Sequence, residues 1–137
     1  MERSKAIETL VSKVYEAIKR GDAGAVASLI ATGSSSRMIG TDPDEWWSGA
    51  ETVNAALRAQ LDDMGGIDLV GGEPEGYSVG TVGWFADRPA FRLADGNQVP
   101  VRLTGVVVLE DGSWKLIQAH VSVGVPNEEV VGRELPT

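Results

Sequence analysis

Apolar side chains recur at Ile7, Leu10, Val11, Val14 and Ile18, a spacing of i, i+3, i+4, i+7 and i+11 that lines up one face of a helix. Glu8, Lys13, Glu16 and Lys19 fall on the other faces, so the helix packs by one side only. Gly21 stops it, and Asp22 offers an acceptor to the amides that open a second, shorter helix. That helix is expected to bury Val26, Leu29 and Ile30 and to end near Gly33, with a short strand through residues 37–40 after it. In GTDPDEWWSG, Asp42 can cap exposed amides, Pro43 suits a first helical position and Glu45 stands where a capping box places its acid. This segment is therefore expected to open the third helix, with Trp46 and Trp47 in its first turns. Gly49 either interrupts that turn or marks a second start. Val53, Ala56, Leu57, Gln60, Leu61 and Met64 then carry helical spacing to Gly65-Gly66.

The second half changes period. YSVGTVGWFADRP and VPVRLTGVVVLEDGSWKLIQAHVSVGV are rich in Val, Thr and aromatics and dense in glycine, which predicts long strands with bends or close packing at the glycines. Asp95-Gly96 and Asp111-Gly112 are turn signals, and the second closes a hairpin. A three-residue loop at Glu110, Asp111 and Gly112 sets Val108 opposite Trp114 and Arg102 opposite His120. One face then carries Val101, Leu103, Gly105, Val107, Leu109, Ile117, Ala119, Val121 and Val123. The other carries Arg102, Thr104, Val106, Trp114, Leu116, Gln118, His120 and Ser122; a slip of one residue would exchange the faces. Helices followed by an antiparallel meander predict an α+β fold, with the helices covering the apolar sheet face. The mixed face needs another partner, a second subunit or solvent.

Length and charge narrow the classes. The 137 residues read as one domain, 1–137, with no linker or repeat to divide it. Twelve Lys and Arg against twenty Asp and Glu give a net charge of −8, the wrong sign for a phosphate backbone or an anionic membrane surface. Nucleic-acid and membrane partners are not expected. The absence of cysteine removes disulfides and thiolate chemistry and fits a reducing compartment. The charged N-terminal stretch reads as neither a signal peptide nor an anchor. The expectation is a soluble, cytoplasmic protein.

At IGTDPDEWWSG, GWFADRP and VRLTGVVVLEDGSWKLIQAHVSVGVPN the chain resembles the NTF2-like superfamily, and its SnoaL-like branch in particular; the resemblance runs from about residue 5 to residue 127. It implies a cone-shaped (cystatin-like) α+β fold, three N-terminal helices packed on a curved antiparallel sheet, with a pocket at the open end. Relatives often pair as homodimers through the outer sheet face. They include isomerases, cyclases, dehydratases, binding domains and assembly domains. Their enzymes commonly place an Asp, with or without a His or Tyr, in the cavity, but no local motif here maps such a dyad onto particular positions. Activity does not follow from the fold.

The candidate residues are few. His120 is the lone histidine and can act as acid or base near neutral pH, but its same-face neighbours Arg102, Gln118 and Ser122 offer no orienting carboxylate. With Thr104 they read instead as a subunit interface that holds the ring structurally. Trp46 and Trp47 beside Asp42 can wall a pocket for a flat apolar ligand, or one can be core and the other partly exposed. Alternation puts Trp84 and Phe85 on opposite faces, so at most one enters a cavity. Asp87 can be a buried general base, yet Asp87-Arg88-Pro89 reads more readily as a surface turn. Tyr15, beside the apolar stripe of the first helix, either points its hydroxyl into the cavity or packs.

One histidine without cysteine makes no familiar zinc set, the acids lack calcium-loop spacing, and the glycine-rich stretches precede no helix; no metal or cofactor is expected. Three functions remain open: a homodimeric small-molecule-binding domain with a pocket for an apolar or aromatic ligand; a cofactor-free isomerase, cyclase or dehydratase with a pocket carboxylate as base; and an oligomerising or regulatory module without ligand.

Overall fold

The computed structural model describes residues 1–137. A two-residue strand β1 (Glu2–Arg3) leads into α1 (Lys5–Lys19), whose N-cap Ser4 accepts from the Ile7 amide. The short α2 (Ala23–Ser28) is capped as the sequence predicts, by Asp22 accepting from Ala25. β2 (Arg37–Ile39) follows, then β3 (Trp46–Ser48), α3 (Ala50–Met64) and β4 (Asp68–Val70). β5 (Glu75–Val79), β6 (Val82–Asp87), β7 (Ala90–Arg92), β8 (Gln98–Pro100), β9 (Arg102–Glu110) and β10 (Ser113–Ser122) make up the meander, and a short α4 (Asn127–Val131) closes the chain.

One helical expectation is corrected. TDPDE does not open α3; it turns between β2 and β3, which begins with Trp46 and Trp47, and α3 starts after Gly49. The cap-like bonds do form: Asp42 Oδ1 accepts from the Asp44 amide, and Glu45 Oε1 accepts from the Asp42 amide. Those bonds satisfy amides in a hairpin turn as well as in a first helical turn. In the strand Trp47 lies opposite Met38 and packs against the core, while Trp46, opposite Ile39, stays exposed.

Seven strands form the main sheet in the order β1-β5-β6-β9-β10-β2-β3, antiparallel except for the parallel pairing of β10 with β2. β4, β7 and β8 form a separate three-stranded antiparallel sheet. α1 packs across the inner face of the large sheet. Ile7, Leu10, Val11, Val26, Ile30, Val53, Leu61, Phe85, Val107, Leu116 and Ala119 form the core. Ile7, Val53 and Val107 are fully buried, each contributing about 1.5–3 kcal/mol by leaving water. Ile7 reaches the sheet because Gly76 and Gly83 lie beneath it, where a side chain would collide.

The hairpin register also differs from the sequence expectation. The turn is the two residues Asp111-Gly112, both with positive φ (52° and 78°), which matches the twist of paired strands. Trp114 therefore pairs with Leu109, and a bulge between Leu116 and Gln118 shifts the register once more. Beyond it His120 faces Thr104, not Arg102, and Ser122 faces Arg102. The shorter turn sets Trp114 and Leu116 beside Leu109 and Val107 on the inner face, where Leu116 is buried and bridges to Ile30 just after α2, while Leu109 and Val123 are exposed. Two one-residue shifts compound to an even number, so Arg102, Thr104, Gln118, His120 and Ser122 still share the outer face. No helix is long and apolar enough to cross a membrane.

Candidate functional site

Between α1, α3, the inner face of the large sheet and the small sheet lies a cavity of about 910 Å³. Its wall is mainly apolar. α1 contributes Val11, Val14 and Tyr15, α3 contributes Leu57 and Gln60, and the large sheet contributes Met38, Phe85 and Leu103. The small sheet adds Leu69 and Phe91. Helical spacing brings Leu57 and Gln60 to the same side of α3, and strand alternation turns Phe85 and Leu103 inward.

Most polar side chains of this wall are exposed or paired with one another. Lys19, Thr41 and Asp63 are open to solvent. Gln60 donates to Glu45 at 2.8 Å, and the Arg92 guanidinium lies 3.3 Å from Asp68. Tyr15 is different. Its hydroxyl donates to Asp87 Oδ2 at 2.7 Å, across a sequence separation of 72 residues. Burial, reinforced by the bond to Asp87, pushes its pKa well above the usual tyrosine range, so the hydroxyl keeps its proton.

Asp87 is buried at the end of β6, with 8% of its surface exposed; the expected surface turn is not what forms. Its second oxygen, Oδ1, accepts from the amides of Glu73 at 2.9 Å and Arg88 at 2.8 Å. One carboxylate thus ties α1 to the segment after β4 and to the segment before β7. The chain approaches it closely at Gly72, where a Cβ would collide with the carboxylate and touch the Tyr15 ring. With three donors in place Asp87 is engaged structurally, and it does not line the cavity.

The remaining candidates separate by face. Trp47 and Phe85 line the cavity with Tyr15, and Trp46 and Trp84 do not. Trp46 is 58% exposed, with the Arg37 guanidinium 5.0 Å from its ring centroid. Trp84 stacks on Tyr77 across β5 and β6 on the outer face. His120 is exposed on that same outer face, on the opposite side of the sheet from the cavity. Sequence reasoning missed Met38, Leu57, Gln60 and Phe91 as wall residues. The spacing of Leu57 and Gln60 held a usable signal. Nothing local marks Glu73 or Arg88 as partners of Asp87, because their backbone amides do the work.

A family sequence profile for the SnoaL-like domain matches residues 7–126. The chain belongs to the SnoaL-like domain family. Solved structures agree with this fold for the SnoaL-like domain. A "putative dehydratase" of the NTF2-like family from Streptomyces avermitilis is 19% identical, with a TM-score of 0.77 over 88% of this chain and 95% of that one. An NTF2-like protein of unknown function from Pseudomonas putida is 15% identical, with a TM-score of 0.74 over 98% and 96%. A cystatin-like protein from Caulobacter vibrioides is 19% identical, with a TM-score of 0.67 over 92% of each chain. At these identities the likeness establishes the NTF2-like, α+β fold of the SnoaL-like domain and carries no activity over to it. No curated protein sequence matches the chain.

Proposed function

We propose that this SnoaL-like protein binds a small apolar or aromatic molecule in its cavity, as a cytoplasmic homodimer. The observation that carries the reading is the cavity of about 910 Å³, walled mainly by apolar side chains and including Tyr15, Trp47 and Phe85. A concave, largely apolar site with few polar groups suits a ligand held by burial and oriented by one or two hydrogen bonds. Proton-transfer chemistry has less support. Asp87, the carboxylate a base would need, already accepts three hydrogen bonds and stands outside the wall. A module without ligand would more simply fill its interior with its own side chains.

The dimer is proposed through the outer sheet face. Tyr77, Trp84, Val106 and Gln118 succeed one another across four strands there, amid Arg102, Thr104, His120 and Ser122. Tyr77, Trp84 and Val106 with a polar surround have the composition of an interface. Gel filtration with light scattering at micromolar concentration tests it, and a monomer alone would refute it. For the ligand reading, titration with the neutral fluorophore N-phenyl-1-naphthylamine should saturate at about one probe per chain. Leu57→Trp, which sets a bulkier ring into the cavity wall, should weaken the signal while leaving the fold intact by circular dichroism. No saturable binding by the parent protein would sink the reading.

A further inference from the structure

Asp87 fixes which way the Tyr15 hydroxyl points its proton. Oδ1 is occupied by two backbone amides, which can only donate, so Oδ2 is left for Tyr15. The hydroxyl proton lies along the 2.7 Å bond to that oxygen, and a charge-assisted bond of this length is not given up readily. What the phenolic oxygen has left is acceptor capacity. The other polar groups of the wall are solvent-exposed or paired among themselves, as Gln60 is with Glu45 and Arg92 with Asp68. Tyr15 is the one side chain of the wall that donates its proton to a residue outside it.

We infer that Tyr15, held by Asp87, is a hydrogen-bond acceptor in the cavity, and that the ligand presents a donor to it: an apolar body carrying an amine or hydroxyl, in preference to one carrying only a carbonyl. This rests on the cavity being a binding site, and it makes Asp87 a positioning residue. A ligand carbonyl placed against Tyr15 has to displace the bond to Asp87 or leave two acceptors facing each other.

The geometry dictates what Asp87→Asn does. The two amides at Oδ1 still require an acceptor, so the carbonyl oxygen of the new side chain must take that place. Its NH2 then takes the place of Oδ2 and donates to the Tyr15 oxygen. The tyrosine proton is released toward the cavity, and the polarity of the site reverses without change of shape.

The test uses two fluorescent probes of one skeleton, 1-aminopyrene as donor and 1-acetylpyrene as acceptor, titrated into the full-length protein. The parent protein should bind the amine more tightly by about tenfold, the size expected when one hydrogen bond is exchanged for an unpaired polar group. Asp87→Asn should reverse the order. Tyr15→Phe, which keeps the ring in the wall, should bring the two probes to within about threefold, a second readout should the asparagine variant not fold. A parent that prefers the ketone, or an order unchanged in folded Asp87→Asn, overturns the inference while leaving the cavity a binding site. Failure of both probes and of N-phenyl-1-naphthylamine to bind the parent overturns the binding reading and this inference with it.

Discussion

The Glu8 carboxylate, in the first turn of α1, is hydrogen-bonded to the Arg3 guanidinium of the strand before it. Glu8 is buried, and it also accepts from the Gly76 amide at 3.3 Å, with the Lys5 ammonium 3.3 Å away. One acid thereby joins β1, α1 and β5. The bond from Arg3, with help from Gly76 and Lys5 and against the opposing effect of burial, holds its pKa down at about 2, from an ordinary 4.5.

A folded-state pKa below the unfolded one means stability that is complete above pH 4.5 and is lost as pH falls toward 2. Glu8→Gln should therefore lower the thermal midpoint at neutral pH and flatten its decline through that acid window. Melting curves followed by circular dichroism between pH 7 and pH 2 check this. An acid limb as steep in the variant as in the parent would remove Glu8 from the account.

Gly105 lies under the ring of Phe85, where a Cβ would collide with the ring and approach the Gln118 carbonyl. Gly105→Ala should cost about 1–3 kcal/mol, the usual penalty for overfilling a packed site. Urea unfolding measures it. Phe85→Leu made in the same chain should recover part of the loss, so the two changes should not add.

Asp22 and Asp42 look alike in sequence and do different work. Asp22→Ala removes the N-cap of α2 and should cost about 1 kcal/mol. Asp42→Ala loosens a hairpin turn, so its effect should fall on the β2–β3 pairing and leave α3, which begins after Gly49, intact. Hydrogen exchange distinguishes them: faster exchange at Trp46 and Gly40 with α3 protection unchanged is the expected pattern for the second variant. Loss of protection in α3 would restore Asp42 as a helix cap.

His120→Ala should leave the folding stability of a chain within about 0.5 kcal/mol of the parent, since the ring is exposed and on the outer face. Probe binding in the cavity should be unchanged. Sedimentation at several concentrations should detect the change instead, as a weaker dimer. A loss of probe binding with association intact would move the histidine to the site.

What could be read in the sequence was what short-range periodicity encodes. The face and stop of α1, the cap of α2, the apolar row of α3 and the position of the Asp111-Gly112 turn all rest on residues a few places apart, whereas α2 ends at Ser28, short of the expected Gly33. TDPDE misled because an Asx turn and a helix N-terminus ask for the same side chains. The bulge at Ile117 and the pairing of Tyr15 with Asp87 had no local signal, since each is set by a partner far along the chain. The apolar walls of the cavity were thus partly visible, and both Tyr15 and Asp87 were candidates, but their pairing was not visible.

The parallel pairing of β10 with β2 joins segments about eighty residues apart, and the Leu116 backbone bonds to both Leu29 and Ala31. During synthesis, α1 and α2 leave the ribosome long before the strand that covers them. Val11, Val26 and Ile30 share one core with Leu116, so the first half of the chain lacks that part of its core until β10 is made. The β9–β10 hairpin, built from neighbours in sequence, can form as soon as it is made. The last strand made is thus the one that joins the two halves of the sheet and completes the core.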